Sequence, residues 1–296
     1  MARILTLDGG GIRGLLTARI LQRLEAMVPG WLDSVDVIAG ASTGGIIALA
    51  LAAGVPLSDI VALYQDRAKD IFKSRDWLDG IMPDEMWRAD FSPKDIQGVL
   101  EDVLGATTLG DLNKIVLIPA FDTRTWAPKF YDNWPGHVTD LSMRAVDVAM
   151  CTSAAPTYWP THLWQVDGGV FANNPADCAI AKVFDEQRKA GQPLNGTCCL
   201  SIGTGQNNHM ARKDPNWDAG IKDMIPMLLN IVFDGALKAS SFRARAMLGD
   251  KFCRVQPQLP VVLGLADIDC IPTLLSIADM VDLEEAVDWL AVNWSD

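Results

Sequence analysis

The chain opens on a short apolar run, Ile4 to Leu7, bounded by Asp8 and three glycines, which predicts a buried strand. Beyond Gly9-Gly10-Gly11 the period changes. Ile12, Leu15, Leu16, Ile20, Leu24 and Met27 recur at spacings near three and four, the signature of a helix face, and Pro29-Gly30 ends it. Val35 to Ala39 predicts a second strand, joined by a Gly-rich turn to an Ala/Ile/Leu helix that stops at Gly54-Val55-Pro56. Strand, helix, strand, helix at this spacing predicts an α/β fold with a mostly parallel central sheet and helices on both faces.

Asp59 to Gly110 reads as helical but less regular, with an aromatic-rich insert from Trp77 to Phe91. Ile115 to Phe121 predicts a strong central strand, Lys129 to Tyr131 an edge strand, and Ser142 the cap of a helix through Cys151. Trp164 to Val166 leads into Asp167-Gly168-Gly169, Pro175 stands where a helix opens, and Thr197 to Ile202 makes a further strand ending in Gly203-Thr204-Gly205. The remainder, 206–296, reads as mostly helical, closing on a helix from Glu284 to Trp294. No repeat or linker divides the chain, so 1–296 is expected to form one domain.

Composition narrows the function classes. With 37 acidic against 25 basic residues the net charge is −12, which argues against nucleic-acid binding and against long-range attraction to anionic bilayers. Any contact with a membrane is therefore expected to rest on apolar surface. Met1 to Leu7 carries no secretory signal, and the uncharged stretch Val37 to Ser58 is better explained as strand, turn and helix than as a membrane span. A cytoplasmic location follows as an expectation. The six cysteines show no CxxC spacing and read as buried free thiols, and no metal or other cofactor is expected.

Three segments carry candidate chemistry. Gly40-Ala41-Ser42-Thr43-Gly44 lies between a predicted strand and helix, the context of a nucleophile elbow, in which Gly40 and Gly44 relieve crowding around Ser42. Asp8 to Gly14 contains a GxGxxG spacing at Gly9, Gly11 and Gly14. A dinucleotide reading would set the anionic Asp8 beside a pyrophosphate, and the second strand ends in the serine turn rather than in an acidic ribose ligand. An oxyanion hole from the N–H groups of Gly9, Gly10 and Gly11 is the better reading, with Arg13 holding the loop or a phosphate. Asp167, at a strand's end and followed by Gly168 and Gly169, is on its own a turn signature; taken with the other two segments, it is a candidate to face the serine.

Together these segments resemble the patatin-like phospholipase family: a glycine-rich oxyanion segment with a following Arg-Gly, a GxSxG serine and a DG[GA] aspartate, in that order. Ser153-Ala154-Ala155-Pro156, Asn173-Asn174-Pro175 and Ser201 to Gly205 add to the likeness, which spans residues 4 to 205. The resemblance implies a three-layer α/β/α sandwich, a Ser42–Asp167 dyad without histidine, an acyl-enzyme intermediate and lipid ester substrates. Some bacterial members are switched on by cyclic nucleotides in antiviral defence, and activity appearing only with such a nucleotide would mark that alternative.

Two other readings stay open. The chain order Ser42, Asp167, His209 allows a histidine triad of α/β-hydrolase type. A catalytically silent binding module would need a missing motif residue, and none is missing. Two aromatic groups, Trp77 to Phe91 and Trp126 to Trp134, are candidates for lipid contact or for a helical cap. Met224 to Leu248 is expected to line an acyl groove or the core.

Overall fold

The computed structural model describes residues 2–72, 89–207 and 221–294. Its first half runs β1 (Ala2–Leu7), α1 (Gly14–Met27), β2 (Val37–Gly40), α2 (Thr43–Ala52), α3 (Leu57–Asp66), α4 (Ala68–Ile71), α5 (Pro93–Leu104), β3 (Ile115–Asp122) and β4 (Ala127–Asp132). Then come α6 (Ala145–Ser153), β5 (Gln165–Asp167), α7 (Gly169–Ala172), α8 (Ala176–Lys189), β6 (Thr197–Ile202), β7 (Gln206–Asn207) and α9 (Ile221–Leu248). The chain ends with β8 (Phe252–Val255), β9 (Gln258–Leu259), α10 (Ile271–Met280) and α11 (Glu284–Asn293).

Among the described residues seven strands form the main sheet, in the order β4-β3-β2-β1-β6-β8 with β5 added against β3. β1 pairs in parallel with both β2 and β6, so the two halves of the sheet meet on the strand that leads into the glycine loop. The alternation of side chains sorts the core into two layers. Leu5, Leu7 and Ile38 turn into a large cluster shared with α1, α2, α6 and α10. Ile4, Val37, Ala39, Leu117 and Cys199 turn the other way, onto Ala179, Ile180 and Val183 of α8 and Ala244 of α9. This is the expected three-layer α/β/α sandwich with a mostly parallel sheet.

Several local expectations shift. The C-terminal third contributes a sheet strand, β8, where helix was expected. Phe252-Cys253-Arg254-Val255 is only four residues long and carries a charge, so no apolar run marks it. The strand from Ile115 lies second from the sheet edge rather than at the centre. The helix expected from Ser142 begins at Ala145. Five of the six free cysteines are buried, but Cys178 is partly exposed. Among the described residues no helix is long and apolar enough to cross a membrane.

Candidate active site

β2 ends at Gly40 and α2 starts at Thr43, leaving two residues for the whole reversal. The turn closes only because Ser42 takes φ +53° and ψ −125°, a conformation that costs a non-glycine residue about 1–3 kcal/mol. It also needs its two glycines. A Cβ on Gly40 would stand 2.1 Å from the Gly44 carbonyl oxygen, and one on Gly44 would stand 2.3 Å from that of Leu7. The Ser42 side chain is thereby presented beyond the C-terminal edge of the sheet, at the positive end of the α2 dipole.

Asp167 reaches the same place by a different route. β2 stops pairing with β3 at Ala39–Leu117. β4 occupies the opposite side of β3 from Leu117 to Asp122, so β5 takes the side that β2 has vacated, setting Asp167 against Ala120. The Asp167 carboxyl is 2% exposed. Its Oδ1 accepts the Gly169 N–H at 2.6 Å, and it lines the same cavity as Ser42. Burial pushes this carboxyl up to about 7, while the Ser42 side chain and the Gly169 N–H pull it down. Gly168 lets β5 pass close to β3, since a Cβ there would lie 2.2 Å from the Pro119 carbonyl oxygen.

The glycine loop packs onto both. The Gly9 N–H donates to the Asn173 carbonyl at 2.9 Å, so it is unavailable to a substrate oxygen. Of the three glycines expected to form an oxyanion hole, only Gly10 and Gly11 have N–H groups that donate to nothing within the described residues. Gly11 adopts φ +59°, and the loop is held down by Thr204, whose hydroxyl donates to the Gly9 carbonyl at 2.9 Å. Arg13 is buried and donates to the Gly10 and Gly205 carbonyls, both at 3.4 Å, so it holds the loop in place. Asp8 stays out of the cavity. It is fully buried and takes a two-pronged ion pair from Arg254, with Nη1 to Oδ1 at 2.8 Å.

This arrangement coincides with a known sequence pattern: the profile described as Patatin-like phospholipase matches residues 5–180, more than half of the chain. The chain belongs to the patatin-like phospholipase family. It is 28% identical over 333 aligned positions to Protein teg of Priestia megaterium, with 99% of each chain covered. Against Patatin-like protein 1 of Oryza sativa subsp. indica the identity is 33%, covering 72% of this chain and 62% of the relative. A cGAMP-activated phospholipase of Escherichia coli is 34% identical over a match covering 63% of this chain and 57% of that protein. This chain thus matches somewhat more than half the length of the latter two relatives.

In this patatin-like chain Ser42, Asp167, Gly9, Gly10, Gly11 and Arg13 line a single cavity of about 130 Å³, closed on the far side by Phe233 and Val262. A second, almost wholly apolar hollow of about 30 Å³ opens beside Ser42, walled by Ile46, Leu63, Phe72, Leu100 and Trp159. Trp159 belongs to both. Two of the three histidines are engaged elsewhere: His137 pairs with Asp132 at 2.9 Å and His162 with Asp147 at 3.0 Å. His209 lies outside the described residues, as do Trp77, Met82, Met86 and Trp87; so do the side chains of Met224, Ile225 and Leu229. Phe91 is buried against Trp159, with ring centroids 5.3 Å apart, so this end of the first aromatic group packs the wall of the site. Among the described residues no group of His, Cys, Asp or Glu is arranged to hold a metal ion.

Three structural partners escaped sequence reading. Thr152 accepts the Ser42 N–H, Asn173 fixes Gly9, and Arg254 neutralises Asp8. Asn173 was visible only within Asn173-Asn174-Pro175. Thr152, one residue before the Ser153-Ala154-Ala155-Pro156 segment, and Arg254, in the last third, carried no motif.

Proposed function

We propose that this chain is a cytoplasmic lipid acyl hydrolase of phospholipase A type that uses Ser42 and Asp167 as a dyad. Ser42 Oγ attacks the ester carbonyl carbon while its proton passes to Asp167. The developing oxyanion takes N–H groups from Gly10 and Gly11; one such donor is typically worth ~10²–10³ in turnover. Collapse of the tetrahedral species breaks the ester C–O bond, and the departing lysolipid alkoxide takes the proton back from Asp167. Water then attacks the acyl-enzyme, giving its proton to Asp167, and the fatty acid leaves as Ser42 is reprotonated.

The observation that supports this reading is that Ser42 lines one cavity with a buried carboxyl whose affinity for protons is raised to about 7. An aspartate with its ordinary value of 3.8 would be a poor base, and burial supplies the missing basicity. Mass-spectrometric product analysis on defined phospholipids tests the activity, with Ser42→Ala and Asp167→Asn as controls. Each should lose ~10³-fold or more, and His209→Ala should lose little. Retained hydrolysis in Ser42→Ala would overturn the reading. A loss in His209→Ala as large as that of Ser42→Ala would replace the dyad by a triad.

A further inference from the structure

The catalytic mouth opens at the C-terminal edge of the parallel strands, and two loops rise from that same edge. One is the turn after β3, ending in Trp126; the other is the approach to β5, Leu163-Trp164. They are tied together by Thr123, whose N–H and hydroxyl both donate to the Trp164 carbonyl, at 2.9 and 2.8 Å. Trp126, Leu163 and Trp164 are 77%, 51% and 63% exposed. All three adopt positive φ, +56°, +47° and +66°, a region where large L side chains are disfavoured. A loop selected for stability alone would carry glycine or asparagine there.

Beside these side chains Arg124 is exposed but paired with Asp122, and His162 is paired with Asp147. The apolar surface continues inward. Trp126 meets Phe121 edge-on at 5.9 Å, and Phe121 meets Phe171 of α7 at 6.4 Å. α7 packs on α9, where Phe233 lines the catalytic cavity and Ile231 is exposed. On the far rim Val262 is 62% exposed and lines the same cavity.

We propose that the paired loops carrying Trp126, Leu163 and Trp164 are a docking surface for a zwitterionic phospholipid bilayer, setting the catalytic mouth against the lipid. Indole rings suit the boundary between headgroups and acyl chains. A chain of net charge −12 gains nothing from an anionic surface, so attachment is apolar and insensitive to salt. The proposal rests on the acyl hydrolase reading, because only a lipid substrate gives the mouth a reason to face a membrane.

The test compares the wild-type chain with Trp126→Asn/Leu163→Asn/Trp164→Asn by flotation with phosphatidylcholine vesicles. It adds hydrolysis of vesicle lipid and hydrolysis of a soluble short-chain ester. The variant should lose roughly tenfold or more in vesicle binding and vesicle hydrolysis, as expected when three apolar anchors leave the lipid. Its soluble-ester rate should hold, and its thermal midpoint should match or exceed the wild type, since asparagine tolerates positive φ. Phe242→Ser, which removes another exposed apolar side chain about 15 Å further along α9 from Val232, should change none of these. A wild-type chain that leaves vesicles unbound, a triple variant that still binds them, or a wild-type dimer that the triple variant dissolves would each overturn the docking surface. A wild-type chain that floats with vesicles yet hydrolyses neither substrate would leave the surface standing and remove the hydrolase reading instead.

Discussion

The N–H of Ser42 donates to Thr152 Oγ1 at 3.0 Å. The Thr152 hydroxyl in turn donates a hydrogen bond to the Pro119 carbonyl at 2.6 Å, and its backbone carbonyl accepts the Gly168 N–H at 3.2 Å. One α6 residue therefore ties the Ser42 turn, the strand β3 and Gly168, the residue after Asp167. Thr152→Val keeps the shape and removes the acceptor, stranding a buried N–H at a cost of about 1–3 kcal/mol. Denaturant titration should show that loss, and kcat should fall about tenfold with KM nearly unchanged, because the loss is in positioning. Thr152→Ser should restore both. Equal kcat in the valine and wild-type chains would remove Thr152 from the positioning of Ser42.

Asp167 gives the pH dependence its sign. Its proton affinity in the fold lies at about 7, against 3.8 ordinarily. In the proposed dyad the base is ionised only above that value, so kcat/KM should climb about tenfold per pH unit below 7 and then level off. Stability should run the other way. Between roughly pH 4 and 7 the native state keeps a proton that the unfolded chain releases, so stability is greatest below this window and is lost as pH rises through it. At 1.36 kcal/mol per unit the loss is at most roughly 4 kcal/mol. Asp167→Asn has no such proton to lose, so its stability relative to wild type should increase from pH 5 to pH 8. Parallel melting curves across that range check the sign.

The fold and the reactive centre differ in how legible they were. β1, α1, β2 and the turn at Ser42 announce themselves because a period change from strand to helix falls on glycines. Asp167 was legible through its two glycines, but its approach to Ser42 depends on β5 taking the side of β3 that β2 vacates. No local pattern encodes that long-range pairing. Gly9 looked like an N–H donor by analogy with its neighbours, yet Asn173, 164 positions away, takes that N–H. Arg254 was invisible for the same reason: its partner Asp8 is 246 residues distant.

The Asp8–Arg254 pair makes a separate prediction. Asp8 sits at the end of β1, directly before the glycine loop, and burial pushes its carboxyl upward while Arg254 holds it down. Arg254→Met leaves the carboxyl buried and unpaired, at a cost of about 3–5 kcal/mol. Adding Asp8→Asn should recover more than half of that loss, since the stranded charge is gone. A double-mutant cycle by chemical denaturation measures the coupling. Strict additivity of the two substitutions would mean that the pair does not act as a unit.

Trp159 separates two spaces at Ser42: the cavity of about 130 Å³ that holds the glycine loop and an apolar hollow of about 30 Å³. Its ring packs at a tilt against Phe72 at 5.5 Å and Phe91 at 5.3 Å, so aromatic side chains wall this side of the hollow. A hollow of that size admits little more than the first carbons of an acyl chain. Trp159→Ala should join it to the larger cavity and let the chain run toward Ile46, Leu63 and Leu100. At about 0.8 kcal/mol per buried methylene, three further methylenes favour the longer ester roughly 50-fold. The ratio of kcat/KM for dodecanoyl and butanoyl nitrophenyl esters reads this directly. A uniform drop for both esters would mean that Trp159 only supports the wall, and that the acyl chain leaves Ser42 in the other direction, past Phe233 and along α9.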